Sequence, residues 1–266
     1  MATSPALTVM IAAVRKAARG VQRDFGEIAN LQVSQKGPGD FVTAADKKCE
    51  KVLRTELAKA RANYGFLGEE EGETKGVDPD HRFIIDPIDG THNFMHGLPY
   101  FAITVALERK GEIVVGVTYN PITDELFHSE KGQGAFMNNK RMRVGARKHL
   151  LDALVVTNIP HRGQPQSHIR QRNEIAVLQA KSGGVRAMGA VALDLAYVAM
   201  GRFDAAWTNN INAWDVAAGL LFVRESGGFV ADLYGTGNPL TSGGFIAANA
   251  DLLPQVKDAL AEAAKL

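Results

Sequence analysis

Asp86 and Asp89 stand three residues apart where an apolar run, Arg82-Phe83-Ile84-Ile85, gives way to Gly90-Thr91. Pro87 stiffens the turn between them, so both carboxylates and the Ile88 carbonyl can point at one centre. A second acidic knot, Gly68-Glu69-Glu70-Glu71, lies upstream, and Trp214-Asp215 opens a helical stretch far downstream. Carboxylates gathered at one point repel each other by roughly 1 kcal/mol per pair in water, and by more near protein. A cation offsets that repulsion, and an all-oxygen donor set suits a hard one such as Mg²⁺. Gly90-Thr91 begins a turn whose free backbone N–H groups favour an anion. Divalent ions held by aspartates beside an anion-binding turn are what phosphoryl transfer to water requires. Taken alone, the same residues also fit a strand-end cap at Asp86 and a plain type I turn at Asp89-Gly90. A calcium-loop reading fails, because the third position, Ile88, is not acidic.

Other chemistries lack their residues. No Gly-Lys dipeptide occurs, which removes a Walker A phosphate loop. There is no Gly-x-Ser-x-Gly elbow and no His-Glu-x-x-His helix. Gly132-x-Gly134 lacks the following helix that a dinucleotide fingerprint needs. The histidines at 81, 92, 96, 128, 149, 161 and 168 are scattered, and none is read as a ligand. Cys49 is the single cysteine, so disulfides within the chain and Cys-x-x-Cys sites are excluded. It reads as a small apolar residue on a helix.

These residues need elements to hold them. Apolar residues at Leu7, Met10, Ile11, Val14, Val21, Phe25 and Ile28 predict a helix with one buried stripe. Gln35-Lys36-Gly37-Pro38-Gly39-Asp40 reads as a loop. A second helix is expected from Thr43, with Asp46 three residues on and Cys49, Val52, Leu53 and Leu57 facing inward. Short strands are expected at Phe66-Leu67 and Phe83-Ile85. Residues 101 to 145 alternate apolar runs with turns at Lys110-Gly111, Asn120-Pro121, Lys131-Gly132 and Asn138-Asn139, which predicts an antiparallel meander. After residue 150, strands and helices alternate, with helices over about 166–181, Val191–Met200 and Leu252–Ala264. The expected fold is therefore α/β (α+β), with one unit over 1–148 carrying the antiparallel sheet. A second α/β unit over 149–266 would contribute Asp215.

The chain has 266 residues, 45% hydrophobic and 22% charged, with a formal net charge of +1. That length supports a large core or two packed subdomains. Near-neutral charge argues against direct nucleic-acid or membrane binding. No run reaches the 18 or so apolar residues a membrane span needs. The apolar opening from Ala6 to Val14 is followed, not preceded, by Arg15 and Lys16, the wrong order for a secretion signal. A reducing cytoplasm is the expected location.

Asp86-Pro87-Ile88-Asp89-Gly90-Thr91-His92-Asn93-Phe94 resembles the first signature of the inositol monophosphatase family, and Ala213-Trp214-Asp215-Val216-Ala217-Ala218-Gly219 resembles its second. Gly68-Glu69-Glu70, Val42-Thr43-Ala44-Ala45-Asp46 and Asn120-Pro121-Ile122-Thr123-Asp124-Glu125-Leu126 are similar to further family segments, in order and at the right separations. The likeness runs from about Lys36 to Gly228 and is nearest the bacterial branch.

That resemblance implies a layered α-β-α-β-α sandwich with a mixed second sheet. It implies a Mg²⁺-dependent phosphomonoester hydrolase, with inositol monophosphate the foremost substrate and two to three Mg²⁺ ions per site. Glu69, Asp86 and the Ile88 carbonyl would hold the first metal; Asp86, Asp89 and Asp215 the second; Glu69 would help place a weaker third. Thr91, hydrogen-bonded to Asp46, would orient the attacking water. The phosphate would lie against Ile88, Asp89, Gly90, Thr91 and Asp215, and Lys36 matches a loop lysine near the metals. Gly189, Ala190, Val191 and Thr208 would line the alcohol side. There Ala190 replaces a usual hydroxyl residue and Thr208 stands where inositol-specific members carry glutamate. Relatives hydrolyse sugar bisphosphates, nucleotide 3′-phosphates or histidinol phosphate, and some bacterial ones also join the transcription machinery. Lithium inhibition and a homodimer are further implications.

Overall fold

The computed structural model describes residues 4–27, 33–37, 40–159, 165–235 and 237–266, the side chains of 33–37, 40–42 and 165–167 excepted. Helix α1 (Pro5–Gly26) begins with proline at its first turn, and Leu7 N donates to the Ser4 hydroxyl oxygen. The stretch read as a loop is a hairpin: β1 (Val33–Gly37) and β2 (Asp40–Thr43) pair antiparallel, Val33 opposite Thr43. Its core, Ser34-Gln35-Lys36, is polar throughout, so no apolar alternation announces a strand. Helix α2 (Ala44–Ala60) starts where expected, because Thr43 and Asp46 form a capping box.

The first sheet contains β3 (Gly65–Gly68), β4 (Gly72–Thr74), β5 (His81–Asp89), β6 (Ala102–Arg109), β7 (Glu112–Asn120), β8 (Glu125–Glu130), β9 (Gly134–Met137) and β10 (Lys140–Arg141), with the short helix α3 (Thr91–Met95) between β5 and β6. Strands β5 to β10 run in chain order as the meander, and β3 and β4 complete the edge beyond β5. Every pair is antiparallel except β3 with β5. The β3–β4 hairpin closes over Glu69-Glu70-Glu71, and the chain then returns on the other side of β3. That parallel pair sets Gly68 opposite Ile85, so Glu69 and Asp86 leave the sheet side by side.

The second sheet has the order β12-β11-β13-β15-β14, built from β11 (Leu154–Thr157), β12 (Gly184–Ala187), β13 (Ala205–Asn209), β14 (Phe229–Asp232) and β15 (Gly244–Ala248). Its first three strands are parallel and the rest antiparallel. Helices α4 (Pro165–Lys181), α5 (Val191–Ala199), α6 (Ala213–Glu225), α7 (Pro239–Ser242) and α8 (Leu252–Ala263) alternate with these strands.

Side-chain alternation along the strands sorts these elements into layers. Phe83 and Ile85 of β5 face α1 and α2, packing with Met10, Val14, Leu53 and Leu57. Ile84, between them, faces the opposite way, into a core with Leu195 of α5 and Phe222 of α6. That same core includes Val156, Ala206 and Phe245 from the second sheet, so α5 and α6 lie between the two sheets. The outer face of the second sheet packs Val155, Trp207 and Ile246 on Val177, Leu178, Val256 and Leu260 from α4 and α8. The result is the α-β-α-β-α sandwich. Each fully buried apolar side chain in these layers contributes about 1.5–3 kcal/mol relative to exposure. Close approach of α5 and α6 depends on Gly219, where a Cβ would sit 2.6 Å from Leu195 Cβ. Among the described residues no helix is long and apolar enough to cross a membrane.

Candidate metal centre

Both sheets deliver their functional residues from strand ends. In the first, β3 and β5 end together at Glu69 and at Asp86 to Asp89. In the second, the parallel strands β12, β11 and β13 are in register at Ala187, Thr157 and Trp207. The segments Met188–Val191 and Thr208–Asp215 therefore leave the same sheet edge, the carboxyl end of the strands where α/β folds bind ligands.

Carboxylate oxygens of Asp86, Asp89 and Asp215 lie within 4.8 Å of one another. Asp86 and Asp89 are 2% and 8% exposed, which takes them almost wholly out of water. Burial pushes the Asp86 carboxyl well above its ordinary range, and the charges of Glu69, Asp89 and Asp215 push it further. A hydrogen bond with the Glu69 side chain favours the same protonated form. Asp89 is raised by burial and by Asp215, against the lowering effect of the Ala192 amide. Three carboxylates held this close, with Glu69 hydrogen-bonded to one of them, are costly as bare anions and suit a hard divalent cation.

Helix starts orient the acids. Asp215 is the third residue of α6, and Oδ2 accepts from Asn212 N at 2.8 Å in a capping box. Asp46 repeats this at α2, where Oδ2 accepts from Thr43 N at 2.8 Å and from the Thr43 hydroxyl at 2.5 Å. The N-cap of helix α5 is Ala190, whose side chain can accept no hydrogen bond. Asp89 supplies the missing acceptor from β5, taking the Ala192 N–H at 2.7 Å. Each carboxylate meets the positive end of a helix, which lowers the cost of assembling them.

The Thr91 hydroxyl has two acceptors in reach, Asp46 Oδ1 at 3.2 Å and the Ile88 carbonyl at 3.0 Å. Its single proton can serve one at a time. Asp46 is fully buried, and burial lifts its carboxyl to about 6 despite the bonds from Thr43. Ile88 N donates to Asp86 Oδ1 at 3.0 Å, which holds the turn so that the Ile88 carbonyl faces Thr91.

The residues expected to line the alcohol side divide. Gly90 adopts φ 91°, and a Cβ there would lie 3.0 Å from Ala190 Cβ and 3.2 Å from the Gly189 carbonyl. The β5–α3 turn is thus pressed against Gly189-Ala190-Val191, and only glycine fits both the conformation and the space. Thr208, by contrast, is 2% exposed, and its hydroxyl turns toward the Asn209 carbonyl at 3.4 Å. Lys36 lies on β1, and its side chain falls outside the described residues.

Three contributors were not legible beforehand. The Asn93 side-chain amide donates to the Tyr100 carbonyl at 2.7 Å and the Met188 carbonyl at 2.8 Å, lashing α3 to the 188–191 segment. Tyr100 donates its hydroxyl to Asp194 at 2.8 Å, and burial lifts Asp194 to about 8. Glu50 holds the Glu69 turn. The spacing Asp46-x-x-x-Glu50 on one helix was the available signal for it, because residues four apart share a face. His92 and His96, read as scattered, stack one turn apart with ring centroids at 5.6 Å.

A layered α/β fold that gathers three carboxylates close enough to share a metal ion is the architecture of a candidate metal-site enzyme. The model of the inositol monophosphatase family matches residues 3–265. The chain is 52% identical over 260 residues to the inositol-1-monophosphatase of Rhizobium meliloti (strain 1021), covering 98% of this chain and 97% of the relative. It is 38% identical to the Nus factor SuhB of Pseudomonas aeruginosa, with 92% of each covered. The crystal structure of extragenic suppressor protein suhB from Bartonella henselae superposes with a TM-score of 0.93 at 49% identity, over 97% of this chain and 98% of that one. The chain belongs to the inositol monophosphatase family, and it is a phosphate-ester hydrolase.

Proposed function

We propose that this phosphatase releases inorganic phosphate from inositol monophosphates and from other small phosphomonoesters, using Mg²⁺ held by Glu69, Asp86, Asp89, Asp215 and the Ile88 carbonyl. The observation that carries this reading is the meeting of Asp86, Asp89 and Asp215 within 4.8 Å. Two to three ions are expected, because five donors exceed what one partly hydrated octahedral ion takes from protein. Bound there, Mg²⁺ supplies charge neutralisation for the phosphoryl oxygens and makes water more acidic.

The chain's own groups do the rest. Of its two acceptors, the Thr91 hydroxyl would give its proton to Asp46 if the Ile88 carbonyl held a metal, which would leave a Thr91 lone pair to accept a hydrogen bond from the attacking water. Glu69 and Asp46 set the orientation of that water and stand ready to hold its proton. Amides of Gly90 and Thr91 receive phosphate oxygens. Gly189, Ala190 and Val191 contact the alcohol.

Thr208 and Ala190 point to breadth. Both are short side chains where a carboxylate or hydroxyl acceptor would grip ring hydroxyls, and losing such an acceptor costs about 1.5–3 kcal/mol. The test is phosphate release from inositol 1-phosphate and glycerol 2-phosphate, with and without Mg²⁺. Comparable rates on both are expected, and a preference for inositol 1-phosphate above about a hundredfold would defeat the broad reading. Release unaffected by chelation would defeat the metal reading.

A second role follows from the likeness to proteins named Nus factor. On this reading the enzyme, a cytoplasmic homodimer, also docks on a transcription complex through a surface away from the acids. Catalytically dead Asp89→Asn protein should then still be retained by that complex.

A further inference from the structure

Glu50 is fully buried on α2, one turn beyond Asp46 on the same helix face. Its carboxylate accepts the backbone N–H of Glu70 at 2.8 Å (Oε2) and that of Glu71 at 3.2 Å (Oε1). Arg54, one turn further, donates Nε to Glu50 Oε1 at 2.8 Å. The same guanidinium donates to the Gly72 carbonyl at 2.7 Å and to the Thr74 hydroxyl at 3.2 Å, and it lies over the Phe66 ring at 5.3 Å. Fit at this point is tight: a Cβ on Gly68 would lie 2.0 Å from Glu50 Oε1. On the other side, Glu69 N donates to the Ile85 carbonyl at 3.2 Å. The Glu69 backbone is therefore gripped from both sides, by β5 before it and by a buried ion pair after it.

We propose that Glu50, backed by Arg54, is a positioning residue for the metal centre, setting the reach of Glu69 toward Asp86 by clamping the 70–71 amides. This rests on Glu69 being a metal ligand, as proposed above. Helix α2 then orients both sides of the reaction from one face, with Asp46 on Thr91 and Glu50 on the Glu69 turn. A buried carboxylate is suited to the task because charge-assisted bonds to backbone N–H groups are short and strong, and Arg54 offsets its desolvation. Glutamine in its place offers one acceptor oxygen instead of two, so one of the two amides meets an NH₂ group and is released.

The clamp is tested by a double-mutant cycle on Mg²⁺ dependence. Glu50→Gln should weaken Mg²⁺ binding to the ester-free protein, read by calorimetry, and raise the Mg²⁺ concentration for half-maximal phosphate release by the same factor of about 10–100, the range for groups that orient a ligand, while KM for the ester at saturating Mg²⁺ stays near wild type. Combined with Glu69→Gln, it should add little, because both substitutions remove one contribution. Multiplying effects in the double variant, or an unchanged Mg²⁺ requirement in Glu50→Gln alone, would overturn the clamp. If Glu69→Gln itself leaves Mg²⁺ dependence untouched, the ligand role of Glu69 fails and the clamp falls with it. Gly68→Ala displaces Glu50 from the opposite side and enters the same cycle if Glu50→Gln does not fold.

Discussion

Asp89 Oδ2 accepts the Ala192 backbone N–H at 2.7 Å across 103 residues of chain. One oxygen of this carboxylate caps a helix from another layer, and the same side chain belongs to the acidic cluster with Asp86 and Asp215. The bond fixes the carboxylate without using up its charge. It also ties the end of β5 to the start of α5.

Asp89→Asn separates the two jobs. The asparagine oxygen can still accept from Ala192 N, so the fold should persist, with Tm within about 2–4 °C of wild type. Mg²⁺-dependent phosphate release should fall by at least about 10²-fold, since a charged donor is lost and not merely tilted. Activity near wild type would remove Asp89 from the metal set.

Thr91→Ala deletes the hydroxyl between Asp46 and the Ile88 carbonyl. Expected is a kcat loss of about 10²–10⁴-fold with KM changed little, as when a proton-handling group is removed. Thr91→Ser should restore most of the rate, and steady-state kinetics on the three proteins decide the matter.

Metal and pH are linked through the raised acids. Asp86 and Asp89 are held above their ordinary range by burial and mutual repulsion, Asp46 is lifted to about 6 and Asp194 to about 8. The folded state therefore keeps protons that the unfolded chain releases near pH 4. In the metal-free protein the contribution of these four acids to stability should be full below that value and be lost as pH rises toward 8. Cations compete with those protons, so the rise in Tm on adding Mg²⁺ should be larger at pH 8 than at pH 5.5. Thermal unfolding with Mg²⁺ and with chelator at both pH values checks this, and an equal rise at both would contradict it.

Asn93→Asp tests the lashing of α3. The change is nearly isosteric, yet it puts a carboxylate oxygen against the Tyr100 and Met188 carbonyls in place of the Nδ2 group that donates to both. Repulsion and lost bonds should cost about 1–3 kcal/mol or more, read as a fall in Tm of several degrees. Asn93→Ser, which keeps one donor, should fall between the two.

Local features were legible in the chain itself. The helix start at Thr43/Asp46, the Asp86–Asp89 turn and the 101–145 meander all arise from bonds or alternation within a few residues, and spacing encodes those directly. Matching segments in the right order went further, naming the family and its acidic residues. Tertiary structure alone decided which acids touch what. The parallel pairing of β3 with β5 brings Glu69 beside Asp86, Asp89 caps α5 in place of Ala190, Glu50 grips the 70–71 amides, and Thr208 turns its hydroxyl toward its own strand. Those contacts depend on sheet order and on which helix lies between the sheets. Both are settled by packing of the whole core, where residues a hundred positions apart become neighbours and no local spacing records it.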